Sequence, residues 1–214
     1  MYPNHDDVLD TVKQQLLPHL QRPEPVPGHE IVPGLVQVAL VLQTAGGDIP
    51  VTQEDLDRWE IGFPEAYRLA LENLRLRSQP ARWEAVQTVP GMLMYLPGNG
   101  DAAARALLLD ELLERFPPEG VLFAMPTAEQ LLVVPLEDFQ KLPSIRVLVT
   151  AARLASDNAT RPLSDQVFWS DGERITHIRV IHDGENVDIL APPTFLAAVE
   201  RLASMTLVSA VGEA

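Results

Sequence analysis

The apolar positions of this chain change period along its length, and those changes predict its elements. Val8, Leu9, Val12, Leu16 and Leu20 recur at helical spacing, so the pattern predicts an amphipathic helix over 6–20 that Pro18 shortens or kinks. Pro23, Pro25, Pro27 and Pro33 follow at a density that opposes regular structure and reads as an extended, semi-rigid connector. Leu35–Leu42 is β-branched, short and apolar at nearly every position, the pattern of a strand covered on both faces. Thr52 and Asp55 have capping-box spacing, which predicts a short helix to Trp59. Pro64 suits the first position of a further helix, with Tyr67, Ala70, Leu71 and Leu74 on one stripe and Glu72, Arg75 and Arg77 facing away.

The middle of the chain is organised around 96–135. A Gly98-Asn99-Gly100 turn precedes a run with Leu108, Leu109, Leu112, Leu113 and Phe116 on one helical face, predicting a helix over 101–116 that Pro117 and Pro118 stop. Val121–Met125 and Leu131–Val134 are too short for helices and read as a hairpin of buried strands. Ala81–Thr88 and Met92–Leu96 flank Pro90-Gly91 and read as another strand pair. The expected core places Leu108, Leu112, Phe123 and Leu132 in one buried cluster. Further on, Pro143 starts a helix with the stripe Ile145, Leu148, Val149 and Ala152. Gln166–Trp169, Arg174–Ile181 and Asn186–Leu190 form a predicted antiparallel meander, with Asp171-Gly172 and Asp183-Gly184 at its turns. A last helix spans Phe195–Leu202, and the tail from Val208 is expected to fray.

These elements imply an α+β fold, a largely antiparallel sheet covered by helices at 65–77, 101–116 and 143–156, with an N-terminal helical arm. The expected boundaries are an amphipathic helix over 1–22, a proline-rich linker over 23–34, one domain over 35–205 and a tail over 206–214. The alternative is a doubly wound parallel sheet around the Gly98 turn. It requires Met92–Leu96 to pair in the same direction with Val121–Met125.

Composition narrows the function classes. Thirty Asp and Glu against sixteen Lys and Arg give a formal net charge of −14, which disfavours nucleic acid as a partner. Lys13 and Lys141 are the only lysines, so the positive charge is nearly all guanidinium, suited to pairing with carboxylates within the fold. The absence of cysteine excludes a disulfide framework, a thiol nucleophile and thiolate zinc sites. No apolar run nears the ~18 residues of a membrane span, and the acidic N-terminus lacks a signal-peptide pattern, so a soluble, cytoplasmic protein without a membrane partner is expected.

Several stretches together resemble the uncharacterised bacterial family typified by YtpQ, a domain of unknown function. They are VTQEDLDRW (Val51–Trp59), ALENL (Ala70–Leu74), the Asp101–Leu113 segment with Arg105 ahead of a leucine run, FAMP…LLVVP, and PLSDQVFW (Pro162–Trp169). The resemblance covers roughly residues 32–170 and lies in the order and spacing of these pieces. It implies an α+β fold and no established activity. The chain departs from that family's polar, charged turn after Pro126, carrying Thr127, Ala128 and Glu129, so a role for the family's arginine there does not carry over.

The candidate chemistry is sparse. Gly98-Asn99-Gly100-Asp101-Ala102-Ala103 fits G-x-G-x-x-A between a strand and a helix. Against a dinucleotide site stand the missing ribose acid and the carboxylate of Asp101 where a pyrophosphate would sit; the plainer reading pairs Asp101 with Arg105 at a helix start. His29-Glu30 begins like H-E-x-x-H, but Pro33 occupies the fifth position. His177, His182, Asp183, Glu185 and Asp188 cluster in sequence, yet five positions along a strand send two imidazoles to opposite faces. Asn73 is an amide on an apolar helix face, and it either bonds a backbone or lines a pocket. Glu84 and Glu111 become a carboxylate pair only if the fold joins them.

No catalytic, metal or cofactor site is therefore expected. The first functional expectation is a non-enzymatic module binding another protein or itself. The second is a small-ligand or nucleotide-binding protein using Gly98, Asn99, Gly100 and Arg105, with Asn73 a further candidate.

Overall fold

The structure, a computed structural model, describes residues 12–87, 89, 91–96, 102–183 and 186–212. Its chain forms two compact units, Met1–Pro80 and Ala81–Ala214, so the division falls at 80/81 where the sequence suggested 34/35. Both units combine helices with antiparallel sheets, an α+β architecture.

The first unit holds a four-stranded sheet of β1 (Leu16–Gln21), β2 (Gly28–Val32), β3 (Val36–Thr44) and β4 (Gly47–Pro50). Strand β3 is the predicted both-sided strand and pairs antiparallel with all three others. The expected helix over 6–20 is corrected: residues 12–15 are helical, but Leu16–Gln21 is a strand, and 6–11 lie outside the described residues. Leu16 and Leu20 are four apart, an even spacing that suits one face of a strand as well as one face of a helix. Pro18 breaks the tie, because it removes a helical N–H but is tolerated on an edge strand such as β1. The linker is corrected too. Its prolines leave Gly28–Val32 free to pair with β3, and buried Gln37 straps the irregular part, accepting from Glu24 N–H at 2.7 Å and donating to Val26 O at 3.1 Å.

Helix α1 (Gln53–Arg58) starts at the predicted capping box. Thr52 Oγ1 accepts from Asp55 N–H at 3.2 Å while Asp55 accepts from Thr52 N–H at 3.0 Å. The bonds from the Thr52 hydroxyl and backbone hold the Asp55 carboxyl below its ordinary pKa. The helix ends in a Schellman turn, with Ile61 N–H on Leu56 O and Glu60 N–H on Asp57 O, both at 3.2 Å. Glu60 occupies the left-handed position, at φ 56°, which costs a non-glycine residue about 1–2 kcal/mol. Glu60→Gly is therefore expected to stabilise this unit by up to about 1 kcal/mol, less the extra backbone entropy of glycine; an unchanged or lowered urea midpoint would refute it. Helix α2 (Phe63–Arg77) follows, and Leu16, Leu40, Val51, Leu56, Ala66 and Ala70 join in one core.

The second unit is built on a seven-stranded sheet in the order β11-β10-β9-β7-β8-β6-β5. The strands are β5 (Trp83–Ala85), β6 (Leu93–Tyr95), β7 (Val121–Ala124), β8 (Leu132–Pro135), β9 (Val167–Ser170), β10 (Ile175–Asp183) and β11 (Asn186–Leu190). Both predicted hairpins and the meander form. Strand β6 pairs with β8 and β5, both antiparallel, so the doubly wound alternative is excluded.

A 3-10 segment, Ala103–Leu108, and the short α3 (Leu109–Leu112) replace the long helix expected over 101–116. Residues 102–106 are buried on all sides, so this run is not an amphipathic surface helix. Ala103 N–H instead takes a tertiary partner, Ala128 O, at 2.9 Å. The segment meets one sheet face where Trp83 Nε1–H donates to Leu112 O at 3.0 Å. The other face carries α4 (Ser144–Asp157) and α5 (Pro193–Gly212). Ile145, Leu148, Val149 and Ala152 of α4, the predicted stripe, pack there with Leu122, Val134, Trp169 and Phe195.

The expected single core cluster is corrected by this arrangement. Leu108, Leu112 and Phe123 are buried, but Leu132 is only half-buried and packs against the α4 face. Phe123 pairs with Val133 and Leu132 with Ala124, so the alternation of the strands sends Phe123 and Leu132 to opposite faces.

Candidate functional site

A concave feature open to solvent lies in the second unit, at the β5 end of the sheet. There α4 overhangs β5 and β6, leaving an open groove of about 480 Å³. Its floor includes Val86, Met92, Met94 and Leu132, and its wall is the outer side of α4, with Val147, Ala151 and Leu154. Val147 is 41% and Leu154 63% exposed. These large apolar side chains stand in solvent because α4 has two apolar stripes: 145, 148, 149 and 152 face the sheet, and 147, 151 and 154 face outward. Glu84 is the one charged residue among the described residues that line the groove.

A smaller hollow of about 360 Å³ adjoins it through Val89 and Val147 and holds Asp138, Lys141 and Ser144. Asp138 Oδ1 is buried with no hydrogen-bond partner among the described residues. Methionines in an apolar trough adapt to varied side chains. Among the described residues no group of three or more His, Cys, Asp or Glu is placed to hold a metal ion.

The sequence-derived candidates do not converge on this groove. Gly98, Asn99, Gly100 and Asp101 lie outside the described residues. Arg105 is 3% exposed, with its guanidinium carbon 5.6 Å from the centroid of the Tyr95 ring. Asn73, in the first unit, has its amide engaged: Nδ2 donates to Lys13 O at 2.5 Å and Leu16 O at 2.9 Å. It thus ties α2 to the start of β1, the backbone-bonding role among its two expected readings.

Glu84 and Glu111 are not a pair. On β5 the side chain of Trp83 reaches Leu112, so Glu84, one residue on, faces the α4 side instead. His177 Nε2 lies 2.9 Å from Gln166 Oε1, and its ring packs 6.0 Å from that of Phe168. Burial first, and Arg179 second, push its pKa below the ordinary histidine value, against the opposing pull of Asp165. Glu185 and the side chains of His182, Asp183 and Asp188 lie outside the described residues. His29, beside Glu30, is on β2 and exposed.

The groove residues carried one overlooked signal. Val147, Ala151 and Leu154 at i, i+4 and i+7 form a second stripe on a helix whose first stripe already accounts for its packing.

The fold class and the groove therefore define an α+β protein with an apolar trough at a sheet edge. No family model, no curated protein and no solved structure matches the chain.

Proposed function

We propose that this protein acts by binding another protein, without catalysing a reaction, and that the groove beneath α4 is its contact surface. The observation that carries the reading is the exposure of Val147 and Leu154 over a floor of methionine, valine and leucine. Large apolar side chains grouped beside a concave surface mark interaction sites more often than isolated exposed ones do. The net charge of −14 supports a protein partner in preference to nucleic acid. A cytoplasmic setting is part of the same reading, and no helix among the described residues is long and apolar enough to cross a membrane. Kinship with the YtpQ-like family remains part of this proposal, supported by the spaced sequence pieces given above.

The test joins affinity capture from cell extract to a thermal-shift panel of nucleotides and metal ions. A defined partner retained by the natural chain should be lost in Val147→Glu and Leu154→Glu, with melting temperature unchanged because both side chains are exposed. A nucleotide that raises the melting temperature by several degrees, with no partner whose capture depends on those residues, would overturn the reading.

A further inference from the structure

Resting on that reading, we propose that the partner enters as an extended segment, apolar on alternate residues and carrying Lys or Arg, which adds a strand to the free edge of β5. Among the described residues strand β5 ends the sheet order, and its pairing fixes which backbone groups are unused there. Leu96 N–H donates to Arg82 O and Val86 N–H to Met92 O, each at 2.9 Å, while Glu84 is paired with Met94. Residues 82, 84 and 86 therefore turn their backbone groups toward β6. By the alternation of an antiparallel ladder, the N–H and C=O of Trp83 and Ala85 point the other way, to the open edge.

An incoming strand would meet these groups and, on the side facing α4, set every second side chain against Val147 and Leu154. Main-chain bonds would supply affinity and the groove would supply selectivity. A helical occupant would cover the same apolar wall but leave the β5 backbone groups unmatched.

Charge selects between the remaining occupants. Glu84 is the charged residue in the groove's described lining, while in the adjoining hollow the charges of Asp138 and Lys141 offset each other, so the groove presents a carboxylate to its occupant. A second copy of the chain would bring the same formal charge of −14 to the contact and be repelled, whereas a basic segment is drawn in.

A displayed library of random linear peptides, panned on the full chain, tests the proposal. Enriched peptides should alternate apolar with other residues and carry Lys or Arg. A synthetic peptide of the consensus should bind about tenfold more weakly to Ala85→Pro, which removes an N–H that the sheet itself does not use, and at least as much more weakly to Leu154→Glu. Glu84→Lys should shift the enriched peptides away from basic residues. Because a proline can disturb the edge, N-methylation is also scanned along the peptide: binding should fall only at alternate positions, those facing β5.

Peptides with helical spacing, or loss in Leu154→Glu without loss in Ala85→Pro or in the N-methyl scan, would overturn strand addition and leave the groove as a protein-binding surface. Concentration-dependent self-association abolished by Ala85→Pro would make a second copy the occupant and overturn the basic partner. Enrichment of no peptide, or of peptides indifferent to both substitutions, would overturn the inference. If the natural chain also captures no partner dependent on Val147 and Leu154, the wider reading falls with it.

Discussion

Replacing Gly120 with alanine is expected to destabilise the second unit by about 2–5 kcal/mol. Gly120 has φ +82° immediately before β7, and a Cβ there would stand 2.2 Å from the backbone O of Ser170 and 2.6 Å from Trp169 Nε1. Neither neighbour has room to retreat. Ser170 is paired with Val121 across the β7–β9 ladder, and the Trp169 indole donates to Glu119 O at 3.0 Å. Gly120 itself is held at both ends, its N–H on Pro117 O and its carbonyl accepting from Leu136 N–H, each at 3.0 Å. The substitution therefore combines left-handed strain, about 1–2 kcal/mol, with overpacking of roughly 1–3 kcal/mol. Gly172→Ala is the control: φ is +97°, but the obstacle is the ring of Phe116 at 3.3 Å, a side chain that can give way. Chemical denaturation of the two variants should show the larger loss for Gly120→Ala. Equal losses would mean that the crowding against β9 contributes nothing.

Phe123→Ala is expected to cost about 3–5 kcal/mol. Phe123 is fully buried on a strand with neighbours on both sides, opposite Val133 of β8 and Phe168 of β9, whose ring lies 5.6 Å away. A cavity there is walled by paired backbone, so little collapse can offset it. Phe139→Ala, at a residue 42% exposed in the same unit, should change stability by less than about 1 kcal/mol. A Phe123→Ala midpoint close to that of Phe139→Ala would show that this sheet face is not packed as described.

How much was legible in the sequence depends on the range over which each feature is decided. The capping box at Thr52, the proline opening α2 and the hairpins of the second unit follow from neighbouring residues, and all appear. Leu16–Gln21 is ambiguous in sequence because its leucines satisfy both periods, and only pairing with β3 separates them. The 102–112 segment departs from its sequence pattern for a different reason. Its leucine stripe resembles a surface helix, but Ala102, Ala103, Ala104 and Arg105 are all buried as well, which no stripe can indicate. The groove was half-legible: the outer stripe of α4 is written in Val147, Ala151 and Leu154, whereas the free edge beside it is not.

By itself, then, the sequence determined the type and approximate span of most strands and helices, because caps, prolines and side-chain period act among residues a few positions apart. It also determined the acidic charge and the lack of thiol chemistry, which depend on no fold at all. Only the tertiary structure decided that β6 lies between β5 and β8, that β5 is therefore the open edge, and that Phe123 and Leu132 face different layers. Strand order is set by contacts among residues far apart in the chain. Local energies do not distinguish one order from another, so the groove came into being only when β5 was left with β6 as its one partner among the described strands and α4 was set beside it.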